Sequence, residues 1–420
     1  MARWLYTLVY YLLLPLILLR LLWRATKAPA YRRRVAERFG YFPSPGLRNA
    51  IWVHSVSVGE TIAAAPLIRL LQERHPQRPL VVTTMTPTGS ERVKALFGET
   101  VFHVYAPYDL PGAIGRFIKR VDPALLVIME TELWPNTIHY CRRNNIPVVL
   151  ANARLSEKSR RGYRRLAALA GPMLRNLSSV VAQTADDADR FKSLGLPPET
   201  VSVSGSIKFD IELDAGLRQR AAELKQQYGD SRPIWVAAST HQGEDEILLQ
   251  AFTALLQTFP ELLLILVPRH PERFDRVAGL AQQRGFRVQR RSQAPIPSGD
   301  TQVVVGDTMG ELLLLYGLGD IAFVGGSLVE NGGHNMLEAA AWELPIITGP
   351  SDFNFRAISD MLQRRGGLVK VRDASAMADQ LQQWLASDDK RRAAGEAAAR
   401  VVAENRGALN RLLAEVERWI

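Results

Sequence analysis

Residues 51–84 read IWVHSVSVGETIAAAPLIRLLQERHPQRPLVVTT, and the way this stretch folds decides the rest. A short apolar run at 51–54 gives way to a turn, then to a helix-length amphipathic segment over 61–74, then to a β-branched run at 80–84. Strand, helix and strand in that order form a parallel pair, because the chain must cross over the sheet before it can pair in the same direction. The turn between the first strand and the helix, His54-Ser55-Val56-Ser57-Val58-Gly59-Glu60, lies at the carboxyl edge of such a sheet, where open α/β folds bind ligands.

Outward from this unit the alternation continues. Strands are expected at 101–105, 125–129, 148–152, 179–182 and 201–204, with helices such as 91–97 and 137–143 between them. The rhythm pauses over 205–217 and resumes with strands at 234–238, 262–267, 303–305, 321–324, 346–348 and 368–371. Their helices are expected near 244–258, 272–284, 310–316 and 336–342, and from residue 374 the chain is mostly helical. The fold class is therefore α/β, with two doubly wound Rossmann-like domains facing a cleft. Length agrees, since 420 residues exceed what one ordinary core holds. The expected division is 1–27, 28–210 and 211–420.

The first 27 residues stand apart. From Trp4 to Trp23 the chain is apolar except for Pro15 and Arg20, just long enough to cross a bilayer core. A cleaved signal peptide is the alternative, with Ala28-Pro29-Ala30 as its cleavage site. The length of the run and the charges of Arg24 and Lys27 argue for an uncleaved anchor. Its removal should leave the body folded, since each later domain has its own core. Arg24, Lys27, Arg32, Arg33, Arg34 and Arg38 crowd behind it, so the positive-inside rule places the rest of the chain in the cytoplasm. Formal net charge is +10, which suits an anionic membrane surface. A second basic run, from Arg154 through Arg160, Arg161, Arg164 and Arg165 to Arg175, is either a solvated helix face or a further contact with acidic lipid. Neither run is interleaved with aromatics in the manner of nucleic-acid readers, so no nucleic-acid partner is expected. The single cysteine, Cys141, excludes an internal disulfide or a multi-cysteine zinc site, and no HExxH, EF-hand or GxSxG pattern occurs.

Chemistry concentrates at strand ends. Glu60 opens a helix after the first strand. By itself it could be an ordinary helix-start acid, and His54 a packed strand-end residue. Met129-Glu130-Thr131-Glu132-Leu133-Trp134-Pro135-Asn136 brings two more acids to another strand end of the same sheet. Paired carboxylates suit glycosyl chemistry, in which one group takes a proton and another supports developing positive charge. In the second half, glycine turns at 306–311, 325–327 and 332–338 follow strands and could cradle phosphate on free N–H groups, although each could equally be a tight turn. Arg269, in Pro268-Arg269-His270-Pro271, could grip a phosphate or carboxylate, and Lys208, near the inter-domain linker, could neutralise a leaving phosphate.

Taken together, SVGE at 57–60, METELWPN at 129–136, SGSIKFD at 204–210, PRHPERF at 268–274, GDTMGEL at 306–312 and FVGGSLVENGGHNMLEAA at 323–340 resemble the 3-deoxy-D-manno-octulosonic acid (Kdo) transferases of lipopolysaccharide assembly. The resemblance spans essentially the whole chain. It implies a GT-B fold, with an amino-terminal domain for the acceptor and a carboxy-terminal one for the donor nucleotide. It implies inverting, metal-independent transfer of Kdo from CMP-Kdo to a lipid A precursor (lipid IVA) at the inner membrane, with no cofactor. By the same resemblance Glu60 is the general base, and Glu130 and Lys208 stabilise the transition state. Pro268 and Arg269, Met309, Gly310 and Glu311, and Asn335, Met336, Leu337 and Glu338 match CMP-binding segments. A transferase using another nucleotide sugar, or a non-catalytic membrane-bound scaffold that binds nucleotide or lipid, are the competing readings. The carboxylates weigh against the scaffold, which requires neither.

Overall fold

The computed structural model of the chain describes residues 1–420. It divides into two units, Met1–Lys208 with Arg406–Ile420, and Phe209–Asn405.

In the first unit a helix α1 (Ala2–Lys27) precedes seven strands, β1 (Ala50–His54), β2 (Leu80–Thr84), β3 (Phe102–Tyr105), β4 (Pro123–Met129), β5 (Val148–Ala153), β6 (Ser179–Ala182) and β7 (Val201–Val203). Helices α2 (Val58–Arg74), α3 (Pro87–Phe97), α4 (Pro111–Val121) and α5 (Pro135–Arg143) make the first crossovers. The strands pair in parallel in the order β3-β2-β1-β4-β5-β6-β7. Both faces are covered, so β1 is buried along its whole length and its residues alternate between two cores. Ala50 and Trp52 face one, with Phe117 and Ile128, while Ile51 and Val53 face the other, with Leu67 and Ile68.

The second unit repeats the plan with β8 (Ile234–Thr240), β9 (Leu263–Pro268), β10 (Val288–Arg290), β11 (Val303–Val305), β12 (Ile321–Val324), β13 (Ile346–Thr348) and β14 (Leu368–Lys370), all parallel in the order β10-β11-β9-β8-β12-β13-β14. Strand β10 has no counterpart among the expected strands, because Val-Gln-Arg at a half-buried edge carries no apolar run. The helices expected at 310–316 and 336–342 are shorter, Leu312–Tyr316 and Leu337–Ala341. Gly310, with φ near +87°, cannot start the first of them.

The chain ends differ from expectation. The second unit begins at Phe209, and the final helix Ala408–Glu417 belongs to the first unit, whereas the expected division assigns it to the second. Its stripe Ala408, Leu412, Leu413 and Val416 buries in the core with Ile68, Leu71 and Val181, and Arg411 Nε donates to the Ser204 carbonyl at 2.8 Å. Amphipathicity marks the buried face of such a helix but not the sheet that receives it. Helix α1 is long and apolar enough to cross a membrane, but it does not stand free of the body. One edge packs on Tyr108, Leu110 and Ala113.

Candidate active site

In the first sheet the strand order reverses direction between β1 and β4. Such a switch point opens a crevice at the carboxyl ends of the strands, because the crossovers on either side lie on opposite faces. Glu60 follows β1 and Glu130 follows β4, so this one feature brings both predicted carboxylates together.

Glu60 is held by local chemistry. Ser57 is the N-cap of α2; its Oγ accepts from the Glu60 N–H at 3.3 Å and donates to Glu60 Oε1 at 2.9 Å, while Glu60 Oε2 accepts from the Val56 N–H at 2.8 Å. This is a capping box, legible in the spacing Ser57-x-x-Glu60. The hydrogen bonds favour the charged carboxylate, yet its pKa is raised from 4.5 to about 7. Burial is the largest cause, and the charges of Glu132 and Glu130 push the same way. Desolvation therefore outweighs the helix start, and Glu60 stands near the poise a general base needs at neutral pH.

Glu130 leaves β4 in the left-handed region, with φ near +57°. A long side chain rarely adopts this conformation, and its persistence at a strand end is characteristic of functional positions. The Glu130 N–H continues the ladder to the Ala151 carbonyl at 2.9 Å, so the reversal happens after the last sheet bond. Trp134 Nε1 donates to Glu132 Oε2 at 3.4 Å. His54 is buried, as its strand-end position suggested, and its ring meets the Trp134 ring edge-on at 4.9 Å. Burial lowers the His54 pKa to about 4, so it is neutral. Its Nδ1 pairs with Thr83 Oγ1, and its Nε2 has no partner; a cavity of about 10 Å³ lies between it, Glu132, Trp134 and Thr137.

The segment after Glu132 is pinned from a distance. Buried Asp109 accepts from the Asn136 N–H at 2.9 Å and from the Thr137 N–H and hydroxyl at 2.7 Å each, capping α5 from another loop. Asn136 Nδ2 returns a bond to the Asp109 carbonyl at 2.8 Å. Sequence reasoning missed Asp109, because 27 residues separate it from Asn136. Lys208 is partly exposed at the end of this unit. The residue before it, Ile207, packs in the same core as Met129 and Ala151.

In the second sheet the switch point falls between β8 and β12. Glu244, absent from the sequence reading, lies here fully buried. Its carboxylate accepts from the N–H groups of Gly326 at 2.7 Å, Ser327 at 2.9 Å, Leu328 at 2.9 Å and His241 at 2.8 Å. The Gly332 N–H donates to Ser351 Oγ, and the Gly333 N–H to the Gly326 carbonyl. From sequence these glycines could cradle phosphate on free amides or make tight turns; at 325–327 and 332–333 protein groups already occupy the amides, so they make tight turns. A Cβ on Gly325 would lie 2.5 Å from the Ser239 carbonyl, so close packing explains that glycine.

Around this turn His241 and His334 stack with ring centroids 5.0 Å apart and Nε2 atoms 2.7 Å apart. Burial lowers both pKa values, that of His334 to about 4, and nearby cations including Arg269 add to the effect. Arg269 is exposed just past the end of β9, and its charge also reaches Glu338. Burial raises the Glu338 pKa despite that charge and a bond from Asn335 Nδ2 at 3.2 Å. Arg269, Asn335 and Glu338 thus share one locality. Pro268, Met336 and Leu337 have buried side chains, so the polar atoms of those segments come from their neighbours. Met309 and Gly310 are exposed past β11, and Glu311 is clasped by Arg291 at 3.2 Å and by Thr308. Burial would raise the Glu311 pKa, but these two partners bring it below the usual carboxylate value.

Two doubly wound units, one with clustered carboxylates at its switch point and one with an arginine, an amide and a carboxylate beside its own, define a glycosyltransferase of the GT-B type. The fold recurs in the UDP-GlcNAc 2-epimerase of Neisseria meningitidis, with a TM-score of 0.55 over 85% of this chain and 99% of that one at 12% identity. A glycosyltransferase from Rickettsia africae gives 0.54 over 89% and 98% at 16% identity. Identities this low speak for the fold alone. Residues 33–211 match the family described as 3-Deoxy-D-manno-octulosonic-acid transferase (kdotransferase), and residues 236–401 match Glycosyl transferases group 1. The 3-deoxy-D-manno-octulosonic acid transferase of Haemophilus influenzae is 47% identical over 98% of this chain and 97% of its own length. That of Bordetella pertussis is 37% identical over the full length of both. The chain belongs to the 3-deoxy-D-manno-octulosonic acid transferase family.

Proposed function

We propose that the chain transfers Kdo from CMP-Kdo to lipid IVA, with inversion and without a metal, and that it works at the cytoplasmic face of the inner membrane. Family membership supports Kdo as the group transferred. The observation that carries the mechanism is Glu60, raised to about 7 by burial beside two further carboxylates. As the acceptor hydroxyl attacks the anomeric carbon, Glu60 takes its proton. The bond from that carbon to the CMP phosphate breaks, and CMP leaves with the electron pair. Glu130 and Lys208 stabilise the transition state, Glu130 by supporting the positive charge that develops on the sugar. Arg269, with Asn335 and Glu338, holds the donor; the Glu338 carboxylate is suited to ribose hydroxyls, and the segment Met309, Gly310 and Glu311 completes the nucleotide contact.

The test is to incubate membranes containing the protein with CMP-Kdo and tetra-acylated lipid A precursor, and to weigh the lipid. A gain of one or more Kdo masses, inhibited by CMP and not by UDP, is the expected result. Competition by UDP would move the assignment to another nucleotide sugar, and nucleotide binding without turnover would leave a scaffold.

A further inference from the structure

We propose that α1 lies in the plane of one membrane leaflet, docked along the first unit, and does not cross the bilayer. The proposal deepens the membrane attachment proposed above and rests on it.

The docked edge begins with a polar latch. Arg3 Nη1 donates to Asn136 Oδ1 at 2.9 Å, and Asn136 Nδ2 donates to the hydroxyl of buried Thr7 at 2.9 Å. Asn136 is also bonded to the main chain of Asp109, so the latch closes on the network that pins the Glu130–Asn136 segment. Farther along, Tyr10, Leu14, Ile17 and Leu18 pack against Tyr108, Leu110 and Ala113. From residue 3 to residue 18 a helix advances about 22 Å, at about 1.5 Å per residue. A helix held to a folded domain over that length cannot also cross a hydrocarbon core of about 30 Å. Crossing would drag Asn136, Thr137 and the Asp109 carboxylate into lipid, or break the latch and strand its buried polar groups.

The opposite edge is apolar and open. Trp4, Leu8, Leu12, Leu16, Leu19 and Trp23, at helical spacing, are each more than half exposed. A tryptophan ends the stripe on each side, the residue that prefers the headgroup boundary. Arg24, Lys27, Arg32 and Arg33 are exposed just beyond it, matching anionic headgroups in charge. An apolar stripe, interfacial aromatics and flanking cations are the marks of a helix lying in an interface.

Full-length protein reconstituted into vesicles of phosphatidylglycerol and phosphatidylethanolamine would test this. Leu5, Leu12 and Leu19, all exposed, would be replaced one at a time by cysteine and spin-labelled, since native Cys141 is buried. Depth measured by relaxation enhancement should be equal at the three sites, about 5–10 Å below the headgroups. A depth gradient of about 21 Å from residue 5 to residue 19 overturns the in-plane arrangement. Absence of vesicle binding by the unlabelled protein would instead overturn membrane attachment itself. Changing Arg24, Lys27, Arg32 and Arg33 to glutamine should lower affinity for anionic vesicles roughly fivefold per charge removed, and an unchanged affinity would remove headgroup contact from the proposal.

Discussion

Glu60 has two tasks, and substitutions can separate them. Its carboxylate closes the capping box of α2 and, in the proposed reaction, receives the acceptor proton. Glutamine also closes a capping box, so Glu60→Gln should leave the thermal midpoint nearly unchanged. It lacks the base, so turnover should fall about 10²–10⁴-fold. Near-normal turnover at saturating substrates would transfer the role to Glu130 or Glu132. The pH dependence follows from the same ionisation. A base that titrates at about 7 must lose its proton to act, so the rate should climb as pH rises through about 7 and then level off. Stability should move the other way. The folded pKa lies above the ordinary 4.5, so any stability Glu60 contributes is complete below 4.5 and is lost as pH rises through about 7. A wild-type pH–rate profile, with melting curves at each pH, would check both signs, and a rate already flat from pH 5 upward would remove Glu60 as the titrating group.

At the scale of elements, long-range side chains hold the turns in place. Glu244, at the start of the helix Glu244–Leu255, ties the turn after β12 to the turn after β8 through four N–H groups. Glu244→Ala should destabilise the protein by about 3 kcal/mol or more, since it removes charge-assisted bonds and strands buried donors. Denaturant unfolding would measure this, and a loss below about 1 kcal/mol would mean that the turn holds itself. His241, His334, Asn335 and Glu338 are mounted around this turn, so the same variant should also weaken CMP binding. Much of this was out of reach of sequence. Gly325 and Gly326 announce a tight turn, but the amides they expose could bind a phosphate or a carboxylate. The choice is made by Glu244, 82 residues before Gly326. The cap at Ser57 and Glu60, by contrast, is complete within the five consecutive residues 56–60, and its Ser-x-x-Glu spacing is local to the sequence.

Over the whole molecule, each unit has its own sheet and its own pair of cores, so base and donor site should be separable by mutation. Arg269→Ala and Glu338→Ala should each weaken CMP binding in a calorimetric titration, whereas Glu60→Gln should leave it within about twofold of wild type, less than about 0.4 kcal/mol. Chelator should not alter turnover; abolition by EDTA and rescue by magnesium would overturn the metal-free mechanism. The sequence alone determined the two doubly wound units, because strand and helix periods are local patterns and a parallel sheet demands crossovers. It also determined that Glu60 and Glu130 stand at strand ends of one sheet. Only the tertiary structure decided that β1 and β4 are neighbours across the switch point, and that burial outweighs the capping bonds at Glu60. The partners of the final helix and of α1 were likewise decided there. Desolvation depends on everything that surrounds a group, and an amphipathic helix specifies the face it must bury but not the surface that will cover it.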